Sequence, residues 1–249
     1  MLEVNEIFGP TIQGEGKYVG NPSIFIRFGK CNFRCEGFAV EYETPSGVKK
    51  CSCDSFYAVD PAFKDQWHKM NKNEIIEQVK KLEPSYKADI VITGGEPLLY
   101  WKDEEFQEIL KYYISNGYKV TIETNASLNI DFTKEYQKEL IFSMSVKLSN
   151  SLEPLKKRVN KETLKKIITN TRESYLKFVI SKEFITKAKE EIELISSIIP
   201  NCEIYLMPMG DSAYEINKHS ESVINMAINS GYKYCDRLHI RVWDNKRGV

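Results

Sequence analysis

Four of the six cysteines lie close together in the sequence, at Cys31, Cys35, Cys51 and Cys53. Thiolates are the usual protein ligands of iron–sulfur clusters and of structural zinc, so this stretch indicates a metal site. A zinc site with four cysteines is the alternative, although Cys51 and Cys53 are closer than the roughly two to four intervening residues usual in zinc pairs. Three cysteines on an iron–sulfur cluster would leave one iron open to a substrate or cofactor.

Other polar and flexible residues directly follow short apolar runs. The segment Gly94-Gly95-Glu96-Pro97 follows the run from Asp89 to Thr93, and its glycines and proline disfavour continuation of a strand or a helix. Cys31 follows the run 23–28 in the same way. Three further segments of this kind end other runs: Glu123-Thr124-Asn125, Ser145-Val146-Lys147 and Met207-Pro208-Met209-Gly210.

The apolar runs alternate with helical patterns along the chain, and this alternation predicts βαβ units around a parallel sheet. The α/β fold is either doubly wound or a full or partial barrel. In both, catalytic groups lie on loops after the carboxyl ends of the strands, where the residues above fall. The predicted strands are 23–28, 89–93, 119–123, 141–146, 175–180, 203–207 and 238–243. The first predicted helix begins at residue 73. Further predicted helices cover 103–115, 133–138, 161–169, 184–198 and 212–229.

Length and composition favour one domain covering residues 1–249, since barrels of this length are common. Lysine plus arginine and aspartate plus glutamate both total 35, which gives no global electrostatic argument for nucleic acid or an anionic membrane. The acidic start lacks the pattern of a secretory signal, and no apolar stretch approaches the ~20 residues that span a bilayer. We therefore expect a soluble cytoplasmic protein with reduced cysteines, without a nucleic-acid or membrane partner.

The spacing Cys31-x3-Cys35, followed by Thr93-Gly94-Gly95-Glu96-Pro97-Leu98-Leu99, resembles the radical S-adenosylmethionine superfamily. The resemblance implies that three cysteines hold a 4Fe–4S cluster. It also implies that S-adenosylmethionine chelates the fourth iron and that the Gly-Gly-Glu-Pro backbone binds its amino group. The fold implied is a radical SAM barrel, and an incomplete barrel is favoured.

A narrower resemblance runs from end to end of the chain. Glu6 to Gly16 (EIFGPTIQGEG), Arg27, Cys53-Asp54-Ser55 and the tail Trp243 to Val249 (WDNKRGV) are similar to the 7-carboxy-7-deazaguanine synthase family. The resemblance implies conversion of 6-carboxy-5,6,7,8-tetrahydropterin to 7-carboxy-7-deazaguanine with loss of ammonia, on the route to queuosine. It further implies Mg²⁺, a homodimer and an external reductant of the flavodoxin or ferredoxin type.

The cluster loop departs from the family pattern, in which the ligands more commonly end as Cys-x2-Cys-Asp-Ser/Thr. Residues 36–52 form an insertion between Cys35 and Cys53 that contains Pro45-Ser46-Gly47 and predicts a turn or small hairpin. Cys31, Cys35 and Cys53 are the favoured ligands because Cys53 precedes Asp54-Ser55, as in the family. Cys51 stays open as the alternative third ligand.

The resemblance assigns three further groups of residues. Ser55 would bind Mg²⁺, unless it only caps the following segment. S-adenosylmethionine would contact Asp54, Gly94, Gly95, Glu96, Glu123, Ser145, Val146, Lys147, Met207, Pro208, Met209 and Gly210. The pterin would contact Ile12, Gln13, Gly14, Glu15, Arg27, Thr93 and Val249. Without the resemblance, Gln13 to Gly16 would be a surface turn, Arg27 an exposed strand residue and Lys147 a solvated charge.

The C-terminal tail is expected at the active site because residues after a last parallel strand, 238–243, would emerge on the catalytic face. A frayed, solvated tail is the alternative. His68, His219 and His239 are interpreted as structural or surface residues, and Cys202 and Cys235 as buried apolar residues. Two other functions share part of the pattern: a radical SAM activase that makes glycyl radicals, and a zinc-stabilised binding module.

Overall fold

The computed structural model describes residues 1–249 and is built on a nine-stranded sheet and a separate two-stranded hairpin. The strands are β1 (Leu2–Ile12), β2 (Pro22–Phe28), β3 (Val40–Glu43), β4 (Lys49–Ser52), β5 (His68–Met70), β6 (Asp89–Gly94), β7 (Val120–Thr124), β8 (Ile141–Met144), β9 (Glu173–Ile180), β10 (Glu203–Pro208) and β11 (Lys233–Tyr234). The α-helices are α1 (Phe56–Val59), α2 (Lys72–Leu82), α3 (Glu104–Ser115), α4 (Leu155–Arg158), α5 (Lys161–Asn170), α6 (Ile185–Ser196), α7 (Ala213–Ser230) and α8 (Leu238–Trp243).

The large sheet has the order β11-β10-β9-β8-β7-β6-β2-β1-β5. Strands β2 and β6 to β11 run parallel, so their carboxyl ends share one edge of the sheet. Strands β1 and β5 add antiparallel pairs beyond β2. Because β11 and β5 do not pair with each other, the sheet is open, and the prediction of an incomplete α/β barrel is confirmed.

Helices α2 and α3 begin at residues whose side chains cap them. The Asn71 side chain accepts from the backbone of Glu74, whose carboxylate accepts in return from the Asn71 backbone, a capping box at the start of α2. Asp103 accepts from two backbone amides at the start of α3. Helix α2 turns Ile75, Ile76 and Val79 into the interior, as its 3.6-residue pattern predicts.

One contiguous hydrophobic core joins the sheet to its helices. It contains 40 buried residues, from Leu2 in β1 to Ala227 in α7. Phe28, Phe106 and Phe142 are among its largest fully buried side chains. Burial of each such side chain stabilises the fold by roughly 1.5–3 kcal/mol, so this core fixes the strands whose ends carry polar residues.

Several parts of the secondary structure differ from the sequence prediction. Residues 238–243 form helix α8 rather than the last strand, and the last parallel strand is the two-residue β11. The alternation of apolar and polar residues was misleading there, because Ile240 is buried while Val242 is 58% exposed. Strands β1 and β5 were not predicted, and 133–138 holds only a short 3₁₀ turn, Glu135–Glu139.

The insertion between Cys35 and Cys53 contains the predicted hairpin, formed by β3 and β4. Its Tyr42 ring stacks on Phe56 of α1 with the centroids 4.2 Å apart. The Tyr42 hydroxyl donates to Asp60 at 2.7 Å, and Lys50 pairs with the same carboxylate. The hairpin is therefore fixed against the segment that follows Cys53.

None of the helices combines the length and apolar character that a membrane crossing requires.

Candidate active site

A cavity of about 820 Å³ opens at the carboxyl ends of the parallel strands. Side chains from β2, β6, β7, β9 and β10 reach it, as do the cluster loop and the C-terminal tail. Of the residues predicted for the site, it is lined by Ile12, Gln13, Gly14, Glu15, Arg27, Cys31, Cys35, Cys53, Asp54, Ser55, Thr93, Gly94, Gly95, Glu123, Ser145, Lys147, Met207, Met209, Gly210 and Val249. The fold thus brings together segments that are up to 237 positions apart in sequence, from Ile12 to Val249.

The thiols of Cys31, Cys35 and Cys53 face this cavity, whereas Cys51 is exposed on β4 and does not line it. Burial raises the pKa of the Cys35 thiol to about 12, and burial together with the neighbouring Cys53 and Cys35 raises that of Cys31. Three thiols at one cavity suit a 4Fe–4S cluster with one iron left for another ligand, whereas a structural zinc site would need a fourth protein ligand.

The backbone of the cluster loop is held by two side chains from other parts of the chain, Glu153 and Ser52. The Glu153 carboxylate accepts from the amides of Arg34 and Cys35, at 2.6 and 3.2 Å. The Ser52 hydroxyl donates to the Arg34 carbonyl at 2.5 Å and joins the hairpin to the first part of the loop. Cys35 has φ +51°, an uncommon conformation for a residue with a side chain, and these contacts hold it.

The Gly94-Gly95 turn brings the backbone of β6 against the cluster loop. An added Cβ at Gly94, which has φ +143°, would overlap the Phe28 carbonyl, and one at Gly95 would overlap the Lys30 carbonyl. The amides of Gly95 and Glu96 donate to those same two carbonyls, at 3.0 and 2.8 Å. Glycine is therefore required at both positions by the close approach of the Phe28 and Lys30 carbonyls.

Glu96, Val146 and Pro208 were predicted to contact the cofactor but do not line the cavity. The Glu96 carboxylate is fully buried and accepts from the Thr124 hydroxyl and from the amides of Leu98 and Asn125, at 2.7–3.0 Å. Burial raises the pKa of Glu96 despite these bonds. Its side chain therefore joins the loops after β6 and β7, and Val146 packs in the main core.

The floor of the cavity is formed by the segment after β1, which crosses to β9 and β10. Lys17 anchors this segment by pairing with Glu173 and Glu203 at the starts of those strands, at 2.8 and 2.9 Å. Glu15 pairs with Lys177 at 2.6 Å. The segment is thus buried structure rather than a surface turn, and its polar groups face inward.

Glu15 is held as a carboxylate by two buried cations, Lys177 and Arg237. Burial alone would raise the pKa of Glu15, but these cations hold it well below its ordinary value. Glu123 completes the floor, accepting from the Thr93 hydroxyl at 2.8 Å and from the Gln13 amide at 3.3 Å. Although Glu123 was predicted to contact the cofactor, it lies among residues predicted for the substrate.

Arg27 is half-buried beside the floor rather than exposed, with 15% of its side chain accessible. Its Nε donates to Glu6 at 2.7 Å, and its guanidinium lies 5.7–5.8 Å from the centres of the Phe8 and Tyr57 rings. The ion pair therefore uses Nε, which leaves the terminal nitrogens of Arg27 for an anionic group in the cavity.

Ser55 precedes the short helix α1 but makes no capping bond to it. Its hydroxyl donates to Asp54 at 3.2 Å and faces the cavity. Lys147 donates to the Ser145 hydroxyl at 2.9 Å on another wall. The capping alternative for Ser55 is thus not the arrangement observed.

The C-terminal tail lies at the mouth of the cavity. Residues 244–249 line it, and the Arg247 guanidinium is 3.5 Å from the centre of the Tyr57 ring. The tail reaches this place from helix α8 rather than from the predicted strand. Cys235 is buried in a small cluster, as predicted, whereas Cys202 is only partly buried against the main core.

Lys177, Arg237 and His239 are among the polar residues of the cavity that sequence reasoning missed. Lys177 carried a usable signal, because a lysine inside the apolar strand β9 must be paired when buried. His239 was interpreted as structural or surface, but its ring packs against Gly14 and its Nε2 is 4.0 Å from Glu15. Arg237 carried no such signal, since it precedes a segment predicted as a strand.

The open parallel barrel with three thiols and a glycine turn at its strand ends defines a radical S-adenosylmethionine protein. The model of the Radical SAM superfamily matches residues 25–193, and the chain belongs to this superfamily. Within the superfamily, the chain belongs to the 7-carboxy-7-deazaguanine synthase family.

Curated relatives support this membership. A 7-carboxy-7-deazaguanine synthase of Buchnera aphidicola is 32% identical over 86% of this chain and 87% of the relative. One of Aquifex aeolicus is also 32% identical, over 78% of this chain and 72% of the relative. The crystal structure of QueE from Escherichia coli shares the fold, with a TM-score of 0.63 at 20% identity over 96% of this chain and 94% of that one.

Proposed function

We propose that this chain converts 6-carboxy-5,6,7,8-tetrahydropterin to 7-carboxy-7-deazaguanine with loss of ammonia. The observation that carries the proposal is that one cavity is lined by both groups of residues. Three thiols line one wall, and the Gln13, Arg27 and Glu123 side chains line the floor. The names of the relatives supply the product. The substrate, the loss of ammonia and the route to queuosine and other deazapurines come from the family resemblance.

In this proposal Cys31, Cys35 and Cys53 hold the 4Fe–4S cluster and the Gly94-Gly95 carbonyls bind the amino group of S-adenosylmethionine. When bound and reduced, the cluster supplies the electron that splits S-adenosylmethionine and so provides the radical that takes a hydrogen from the pterin. Ser145 and Lys147 contribute to the cofactor wall. Glu96 does not line the cavity but stabilises the loop that carries Gly94 and Gly95, through its bonds to Thr124 and Asn125.

The pterin lies on the floor. The terminal nitrogens of Arg27 bind its carboxylate, because a guanidinium offers two parallel donors to such a group. Glu123 accepts from the amino edge of the pterin, and we assign it to the substrate rather than to ribose because it bonds Thr93 and Gln13. Ser55 supplies a hydroxyl ligand to Mg²⁺, whose remaining ligands are substrate oxygens and water.

The organisation of the protein is proposed on the same basis. The chain is one domain, 1–249, in which the insertion 36–52 covers part of the cluster loop. From the family resemblance we propose a cytoplasmic homodimer that takes electrons from a flavodoxin or ferredoxin.

The proposal is tested by anaerobic reconstitution of the cluster and incubation with pterin, S-adenosylmethionine, Mg²⁺ and a reductant. Consumption of the pterin should require every component and should be absent in a Cys35→Ala variant. Arg27→Gln should raise KM by roughly tenfold for the 6-carboxylated pterin, the size expected for losing one charge-assisted contact. A wild-type protein with a loaded cluster that consumes no pterin would overturn the proposal.

A further inference from the structure

Arg237 connects three segments of the chain that meet at the cavity. Its Nε donates to Glu15 of the floor at 2.9 Å. One terminal nitrogen donates to Asp54, directly after Cys53, and the other to the Gly210 carbonyl beyond β10. The side chain is only 10% exposed, so each edge of the guanidinium is committed to a different segment.

These contacts differ in how replaceable they are. Glu15 keeps a second cation, Lys177, whereas the only ion pair of Asp54 is with Arg237. Asp54 also accepts from the Ser55 hydroxyl. Arg237 therefore fixes the carboxylate that in turn orients Ser55, and a planar guanidinium fixes direction as well as charge.

We infer that Arg237 is a positioning residue that sets the segment 53–55 against the floor residue Glu15, and thereby sets the proposed metal hydroxyl against the substrate. The inference rests on the proposed function where it concerns the substrate. The geometric part, a mechanical link between two loops, does not depend on it. Lysine cannot replace Arg237, because a single ammonium cannot span the carboxylates of Glu15 and Asp54 and the carbonyl of Gly210 in fixed directions.

The chain offers a matched control in Arg241, one helical turn further along. Its guanidinium is bound by Asp236, Asn217 and Ser220, away from the cavity. Arg241→Gln removes the same type of side chain four residues further along, within α8, but leaves the link between the loops intact.

The first measurement is amide hydrogen exchange in the cluster-free chain. Arg237→Gln and Arg237→Lys should both speed exchange in residues 13–20 and 53–58, while Arg241→Gln leaves both segments unchanged. Equal protection in all four proteins, wild type included, would overturn the inference whether or not the proposed reaction occurs. Recovery of protection in Arg237→Lys would show that charge alone suffices and would also contradict it.

The second measurement is steady-state turnover after reconstitution. Both Arg237 variants should keep the iron content of the wild type and raise KM for the pterin by roughly tenfold. If wild type and Arg241→Gln turn over the pterin and the Arg237 variants match them, the inference fails and the proposed function stands. If no protein turns over the pterin, the proposed function fails and hydrogen exchange alone decides the link.

Discussion

Cys51 and Cys53 lie two positions apart but in different environments. Cys51 is exposed on the hairpin, whereas Cys53 is half-buried and lines the cavity with Cys31 and Cys35. Alanine at Cys31, Cys35 or Cys53 should abolish stable cluster binding, and Cys51→Ala should keep it. Iron per chain after anaerobic reconstitution measures this. A loaded Cys53 variant beside a cluster-free Cys51 variant would reverse the assignment.

The hydroxyl of Ser55 makes no capping bond and is available to a metal. We expect Ser55→Ala to keep cluster and cofactor binding but to lose most of the stimulation by Mg²⁺, because only the protein's metal ligand is gone. Ser55→Thr restores a hydroxyl and is the control. Rates with and without Mg²⁺ decide the matter, and unchanged stimulation in the alanine variant would refute the role.

At the scale of residues, the sequence predicted those whose chemistry is local. The cysteines and the glycine turn were recognisable because their spacing and their place after apolar runs are visible in the chain. Lys177, Arg237 and His239 were missed because their role depends on partners 162 to 225 positions away, such as Glu15 and Gly14. Such pairs exist only after folding.

At the scale of elements, the C-terminal tail lines the candidate cavity after a helix rather than after the predicted strand. Helix α8 directs residues 244–249 over the cavity, and Arg247 lies on Tyr57, which also faces Arg27. A C-terminal extension, or deletion of Gly248-Val249, should therefore reduce turnover without loss of the cluster. An N-terminal extension is the control, since Met1 lies beside Glu105 of α3. Equal activity in all these proteins would place the tail outside the site.

Strand β1 and helix α8 explain why some elements could not be predicted. Strand β1 contains Gly9 and Pro10 and shifts register twice against β2, so the period-two pattern is interrupted. Helix α8 has six residues, too few to distinguish a period of 3.6 from strict alternation. The long elements α2, α3 and α7 presented several turns of one buried face and were predicted well.

At the scale of the whole molecule, buried ion pairs make stability depend on pH. The pKa of Glu15 lies well below its ordinary value of about 4.3, because Lys177 and Arg237 outweigh its burial. A depressed carboxyl pKa contributes stability that is complete above about pH 4.3 and is lost as pH falls through the folded value. Glu15→Gln should therefore lower the Tm of the cluster-free chain most at neutral pH.

The difference in Tm between wild type and Glu15→Gln should shrink as pH falls below about 4. Glu221→Gln, at an exposed position of α7, controls for the substitution itself. Thermal unfolding between about pH 7 and 3 measures all three proteins. A difference that stays constant over this range would show that the pairs on Glu15 contribute no net electrostatic stability.

The central claim is that the protein, in this cavity, converts 6-carboxy-5,6,7,8-tetrahydropterin to 7-carboxy-7-deazaguanine with loss of ammonia. The most direct measurement is the ammonia released per pterin consumed, with the product identified by its mass, in one anaerobic incubation of the reconstituted protein. We predict one ammonia for each 6-carboxytetrahydropterin consumed and a product with the mass of 7-carboxy-7-deazaguanine. Cleavage of S-adenosylmethionine without ammonia or that product would contradict the claim, and would indicate a radical enzyme with another substrate.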